Sequence, residues 1–107
     1  MNPFNLAVLR EAVAVGNTEW RQHVLQKLAE RAIAQPDVRD VPVQGERIRE
    51  YGDDKPFPSA LFLGYVAGRP LHVVAACDEA NRRAFVITDY EPSLEIFEAD
   101  HRTKRKS

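Results

Sequence analysis

RPLHVVAACDEANRRAFVITDYEP, Arg69 to Pro92, reads as two β-strands joined by a short polar turn. Leu71 to Cys77 is an apolar run holding one histidine, His72. Asp78 to Asn81 supplies turn residues, and Arg83 to Tyr90 is a second run that ends in Asp89-Tyr90-Glu91-Pro92. Runs of this length between turn signals are strand signatures. Alternation puts Leu71, Val73, Ala75 and Cys77 on one side of the first strand, and His72, Val74, Ala76 and Asp78 on the other. On the second strand it groups Ala84, Val86, Thr88 and Tyr90 against Phe85, Ile87 and Asp89. Whether His72 and Tyr90 share a face depends on register, which the loop length leaves open.

Upstream, Ser59 to Val66 (SALFLGYV) has large residues on both faces, as a central strand does. Glu46 to Tyr51 (ERIREY) is short, charged and alternating, as an edge strand is. Gly52 to Pro58 is a loop by composition. Before these come helical patterns. Asn2-Pro3 is a helix start, followed by Leu6, Leu9 and Val13 at helical spacing and by Gly16 as a stop. A second helix is expected from about Glu19 to Ala34, with Val24, Leu25, Leu28, Ala29, Ala32 and Ile33 on one face. Along its border His23, Lys27 and Arg31 step four residues at a time, with Trp20 at the N-terminal end. Pro36 ends this helix, and Asp37 to Val43 is expected to form one short turn broken by Pro42. The fold class is α+β: two N-terminal helices packed on a four-stranded, mostly antiparallel meander sheet. Residues 1–98 form one domain and 99–107 a basic tail.

The chain has 107 residues, of which 44% are hydrophobic, enough for one core. Net charge is −1. Four of the 15 basic residues, Arg102, Lys104, Arg105 and Lys106, lie at the end; without them 11 basic side chains face 16 acidic ones, a body of −5. Such a body disfavours strong RNA binding by charge alone, while the tail offers an arm for phosphates or an acidic partner. The single cysteine, Cys77, makes no internal disulfide and reads as a small core residue. No segment reaches the ~18 apolar residues of a membrane helix, and no signal-peptide pattern is present, so a cytoplasmic protein is expected. The three histidines, His23, His72 and His101, lack metal-ligand spacing, so neither a metal nor another cofactor is expected.

The segments W-R-x-H-V-L-x-K-L-A-E-R (Trp20 to Arg31), E-R-I-R-E-Y (Glu46 to Tyr51), F-P-S-A-L-F-L-G-Y-V (Phe57 to Val66), R-P-L-H-V-V (Arg69 to Val74) and V-I-T-D-Y-E-P (Val86 to Pro92) follow in that order. Together they resemble a small bacterial family, domain of unknown function 4258. Its members look like compact relatives of the toxin ribonuclease (BECR) fold, which includes the RelE-like and MqsR-like mRNA interferases. The resemblance implies an endoribonuclease role by analogy, with RNA as substrate. It also implies a protein antitoxin carrying a zinc ribbon or helix-turn-helix as partner. Matching motifs carry over His23, Arg31, Tyr51, His72 and Tyr90. The family tends to have a Trp shortly after Y-E-P, where this chain has Phe97. Arg102 and Lys104 agree with the family's basic finish.

RNA cleavage without a metal needs a base for the 2′-OH, cations for the phosphorane and an acid for the leaving 5′-oxygen. His23 and His72 suit the proton transfers, Arg31 the phosphate, and Tyr90 a stacked base or a hydrogen bond. Lys27, Tyr51, Arg69, Arg102 and Lys104 are the candidate substrate contacts. The alternatives are a non-catalytic protein-interaction domain, using the open sheet face or the edge strand Glu46–Tyr51, and a degenerate toxin fold.

Overall fold

The computed structural model describes residues 4–104 and arranges them as three helices against one face of a five-stranded mixed sheet. Helix α1 (Leu6–Ala14) begins at Asn5, whose side-chain oxygen accepts the Val8 N–H. The expected start at Asn2-Pro3 lies outside the described residues. Next come β1 (Thr18–Trp20), α2 (Gln22–Arg31) and α3 (Gln35–Gln44).

Two expectations need correction here. The second helix is shorter at both ends than Glu19 to Ala34. Its predicted first residues are a strand instead, pairing in parallel with a distant segment through Thr18↔Ala84, Glu19↔Phe85 and Trp20↔Val86. Asn17 anchors this strand: its carbonyl accepts the Ala84 N–H and its side-chain amide donates to the Arg82 carbonyl. Tertiary pairing has overridden an Asn-Thr pair that resembles a helix cap. At the other end Ala32 adopts the left-handed conformation (φ 56°) and stops the helix. The expected short turn around Asp37 to Val43 is a full helix. Pro36 sits in its first turn, where no N–H is missed. Pro42 falls in the last turn, and the Arg10 guanidinium donates to the carbonyls of Pro42 and Gly45, tying that end to α1.

The remaining strands are β2 (Glu46–Tyr51), β3 (Ser59–Val66), β4 (Arg69–Asp78) and β5 (Arg83–Tyr90). They form the expected antiparallel meander, with β2 at an edge and β3 inside, but β1 adds a fifth strand beyond β5. The order is β1-β5-β4-β3-β2, so the sheet has five strands rather than the expected four and is mixed, with one parallel pair beside three antiparallel ones. Val8, Leu9 and Val13 of α1, Val24 and Leu28 of α2, and Val38 and Val41 of α3 share a core with Ala60, Phe62, Val73, Ala75, Ala84 and Val86. Helix α3 lies so close to β3 that a Cβ on Gly64 would meet the Val41 side chain at 2.8 Å. Among the described residues no helix is long and apolar enough to cross a membrane.

One residue of irregularity decides what each face carries. Ala75 opposes Val86 but Val74 opposes Thr88, so Ile87 is an extra residue in β5. Directly opposed residues share a face. Before the bulge, Ala84 and Val86 enter the helix-side core. After it, Asp89 (opposite Val73) enters that side, while Thr88 and Tyr90 turn to the other. The grouping of Ala84 and Val86 with Tyr90 expected from strict alternation is therefore wrong. A second bulge, at Ile48, separates Arg47 from Arg49 in the same way.

The face away from the helices is partly roofed by residues 93–104, which form a strap across it. Phe97 is buried and bridges to Lys104, and Glu98 donates its N–H to the Thr103 carbonyl across the turn between them.

Candidate functional site

His72 opposes Tyr90 across β4 and β5 on the sheet face away from the helices, in one row with Leu63 of β3 and Glu46 of β2. It is fully buried. Its Nε2 bonds the His101 carbonyl and its Nδ1 lies 3.2 Å from the Tyr90 hydroxyl. A carbonyl can only accept, so Nε2 carries the proton. Burial lowers the His72 pKa, more than the His101 carbonyl raises it, and so favours the neutral ring. The Nδ1 lone pair then accepts from Tyr90. Burial also pushes the Tyr90 hydroxyl up, aided by Tyr51 and opposed by Arg49, which keeps it protonated as the donor. Phe97 packs edge-on against the imidazole, ring centres 4.7 Å apart. The strap thus follows the His72 row: Phe97 over the ring, His101 against Tyr65, and Arg102 paired with Glu46 at the sheet edge.

The next row on this face is Arg49, Leu61, Val74 and Thr88, and the one beyond is Tyr51, Ser59, Ala76 and Phe85. Beside the 52–58 loop lies a groove of about 520 Å³ lined by Tyr51, Ser59, Val74 and the loop residues Asp53 and Asp54. Asp54 accepts from the Ser59 hydroxyl and the Lys55 N–H. Arg49 is half-buried, its Nε has no partner, and its charge acts on both His72 and Tyr90. The sequence expectations did not include Arg49. Its signal was available, since it precedes Tyr51 by two residues in an alternating strand.

The cationic stripe of α2 does not join this group. His23 and Arg31 are exposed and Lys27 half-buried, and all three act on Asp89, on the helix side of the sheet. Arg31 donates to the Asp89 main-chain carbonyl at 3.3 Å and reaches its carboxylate only at 4.0 Å. Asp89 is 1% exposed, and neither carboxylate oxygen has a hydrogen-bond partner. Burial raises its pKa, with Arg31, Lys27 and His23 pulling it back down. The expected meeting of the His23–Lys27–Arg31 stripe with His72 does not occur, because the β5 bulge sends Asp89 toward α2 and Tyr90 away from it.

The other candidates scatter. Tyr51 is 41% exposed on the His72 face. Arg69 is exposed at the start of β4 and forms a two-point pair with Glu91. Arg102 is held by Glu46, and Lys104 is exposed at the end of the strap. Cys77 is a core residue, its thiol pushed up to about 11 by burial and by Glu79 and Asp78. Among the described residues no three His, Cys, Asp or Glu side chains converge to hold a metal ion.

The family described as "Domain of unknown function (DUF4258)" matches residues 20–91, from the end of β1 to one residue past β5. The match includes Arg49, His72, Asp89 and Tyr90. No curated protein and no solved structure matches the chain.

Proposed function

The chain belongs to the domain-of-unknown-function family 4258, and from the sheet face described above we propose that it is a metal-independent endoribonuclease of the toxin type, partnered by a protein antitoxin. The observation that carries this is the hydrogen-bonded His72–Tyr90 pair beside the unpaired Nε of Arg49, on a face free of helices. Tyr90 exchanges the proton with RNA, and His72 stands behind it. Tyr90 takes the 2′-OH proton as its own passes to His72 Nδ1. The 2′-oxygen attacks phosphorus, and Arg49 shares the charge of the phosphorane. The His101 carbonyl steadies the imidazolium through Nε2–H. Because burial makes that imidazolium a strong acid, the proton returns readily through Tyr90 to the leaving 5′-oxygen. The products are a 2′,3′-cyclic phosphate and a 5′-hydroxyl, with no net proton consumed.

The test is purified protein, wild type and Tyr90→Phe, incubated with RNA, with the new ends identified chemically. Folded wild type that leaves RNA intact overturns the proposal. A second, non-catalytic reading draws on β2, one of the two outer strands of the sheet, as an edge for a partner strand. It predicts partner binding that substitutions along β2 abolish and Tyr90→Phe leaves unchanged.

A further inference from the structure

A second recess opens on the same face, at the opposite end of β5. It is about 310 Å³ in volume, floored by Ala76, Phe85 and Ile87 and walled by Pro56 and Phe57. Phe57 and Phe85 stack at 5.3 Å with their rings 12° apart, and both are half-buried, so aromatic surface stays open to the recess. Arg21 and Lys55 stand at its rim. Neither side chain has an ion pair among the described residues, whereas Arg31, Arg39, Arg47, Arg69, Arg82, Arg83 and Arg102 each have one. The rim carboxylate, Glu19, lies 4.0 Å from Arg83, which leaves the two free cations in excess.

The β5 bulge joins this recess to the His72 row. Phe85 and Ile87 line the recess, and Thr88 and Tyr90 follow on the same face. At ~3.3 Å per residue, Phe85 and Tyr90 lie about 16 Å apart along the strand, a span of a few nucleotides. A volume near the low end of ligand pockets (about 300–1,000 Å³) suits one planar ring system rather than a larger ligand. An aromatic wall with unpaired cations at its lip is how single strands are held, by base stacking and phosphate contact.

We infer that this recess is a nucleotide subsite: it takes one base of an RNA strand against Phe57 and Phe85, with the adjoining phosphate between Arg21 and Lys55. The inference rests on the RNA substrate proposed above, but its test needs no cleavage. Isotope-labelled protein is titrated with ribonucleoside 5′-monophosphates and with the matching nucleosides, and amide and methyl signals are followed by NMR. The expected result is saturable shifts at Phe57, Phe85 and Ile87, with the monophosphates binding at least fivefold tighter than the nucleosides. Arg21→Glu and Lys55→Glu, both surface changes, should erase that preference. Phe57→Ala should weaken binding of both ligands about fivefold or more. Shifts confined to other residues, equal affinity for nucleoside and monophosphate, or no shifts at millimolar ligand overturn the subsite. If mononucleotides bind here but RNA is never cut, the cleavage proposal fails and the subsite stands. If RNA is cut and mononucleotides leave these signals unmoved, the subsite alone fails.

Discussion

His72 and Asp89 are both fully buried ionisable side chains on neighbouring strands, one residue out of register with each other. Their surroundings are opposite. On the face away from the helices His72 has both nitrogens bonded, one by a side chain and one by main chain. On the helix side Asp89 has neither oxygen bonded and meets Arg31 only at 4.0 Å. A satisfied buried polar group fixes geometry, whereas an unsatisfied buried carboxylate costs stability wherever it is charged. The contrast separates two jobs that a sequence pattern of two histidines, an arginine and a tyrosine had merged. His72 holds Tyr90 in one orientation, and the α2 stripe compensates a buried charge.

The largest effect expected is on activity. Tyr90→Phe removes the hydroxyl proposed to exchange a proton with RNA and should lower cleavage at least ~100-fold, the usual scale for a lost proton-transfer group. Its stability should drop by only ~1 kcal/mol for the one hydrogen bond lost. A fold lost together with activity would show Tyr90 to be a packing residue.

His72→Leu strands the Tyr90 hydroxyl and the His101 carbonyl together. Urea unfolding should show a loss of about 2–4 kcal/mol. A loss near zero would break the claim that these bonds hold the strap and the tyrosine.

The pH dependence of stability should separate the two sites by sign. The His72 pKa is lowered from 6.5, so the folded state binds fewer protons than the unfolded chain. Its contribution is intact above that value and is lost as pH falls from it toward the lowered pKa. The Asp89 pKa is raised from 3.8, so the folded state binds more protons. Its penalty is absent below 3.8 and grows as pH rises through the raised pKa. Asp89→Asn should therefore stabilise the protein at pH 7, by about 1 kcal/mol, and remove the falling slope above 3.8 while leaving the His72 slope. An Asp89→Asn variant that is less stable at pH 7 contradicts the orphaned carboxylate.

The smallest effect concerns Arg31. Its side chain is 40% exposed, so solvent screens the pair. Arg31→Ala should cost no more than ~1 kcal/mol at pH 7, and part of that should vanish in the Asp89→Asn background. A cost unchanged in that background would assign Arg31 wholly to its bond with the Asp89 carbonyl.

Much of this architecture was legible in residue patterns. The hairpin around Asp78 to Asn81, the outer position of Glu46–Tyr51 and the inner position of Ser59–Val66 all follow from alternation and charge. What escaped was non-local or carried by main chain. Thr18–Trp20 is too short for a period, and its partner lies more than sixty residues away. The bulge at Ile87 has no marker residue, yet it alone puts Tyr90 beside His72 and Asp89 beneath α2. The second partner of His72 is a carbonyl of residue 101, to which its side chain gives no clue. His72 and Tyr90 were visible as candidates; that the α2 stripe serves the other face was not.

The most direct test is an end-mapped RNA cleavage assay on wild type, Tyr90→Phe and Asp89→Asn, each shown to be folded. The expected result is 5′-hydroxyl and 2′,3′-cyclic phosphate ends from wild type and Asp89→Asn, and intact RNA with Tyr90→Phe. Cleavage that survives Tyr90→Phe and is abolished by Asp89→Asn would place the chemistry on the helix side and contradict the assignment of the His72 face.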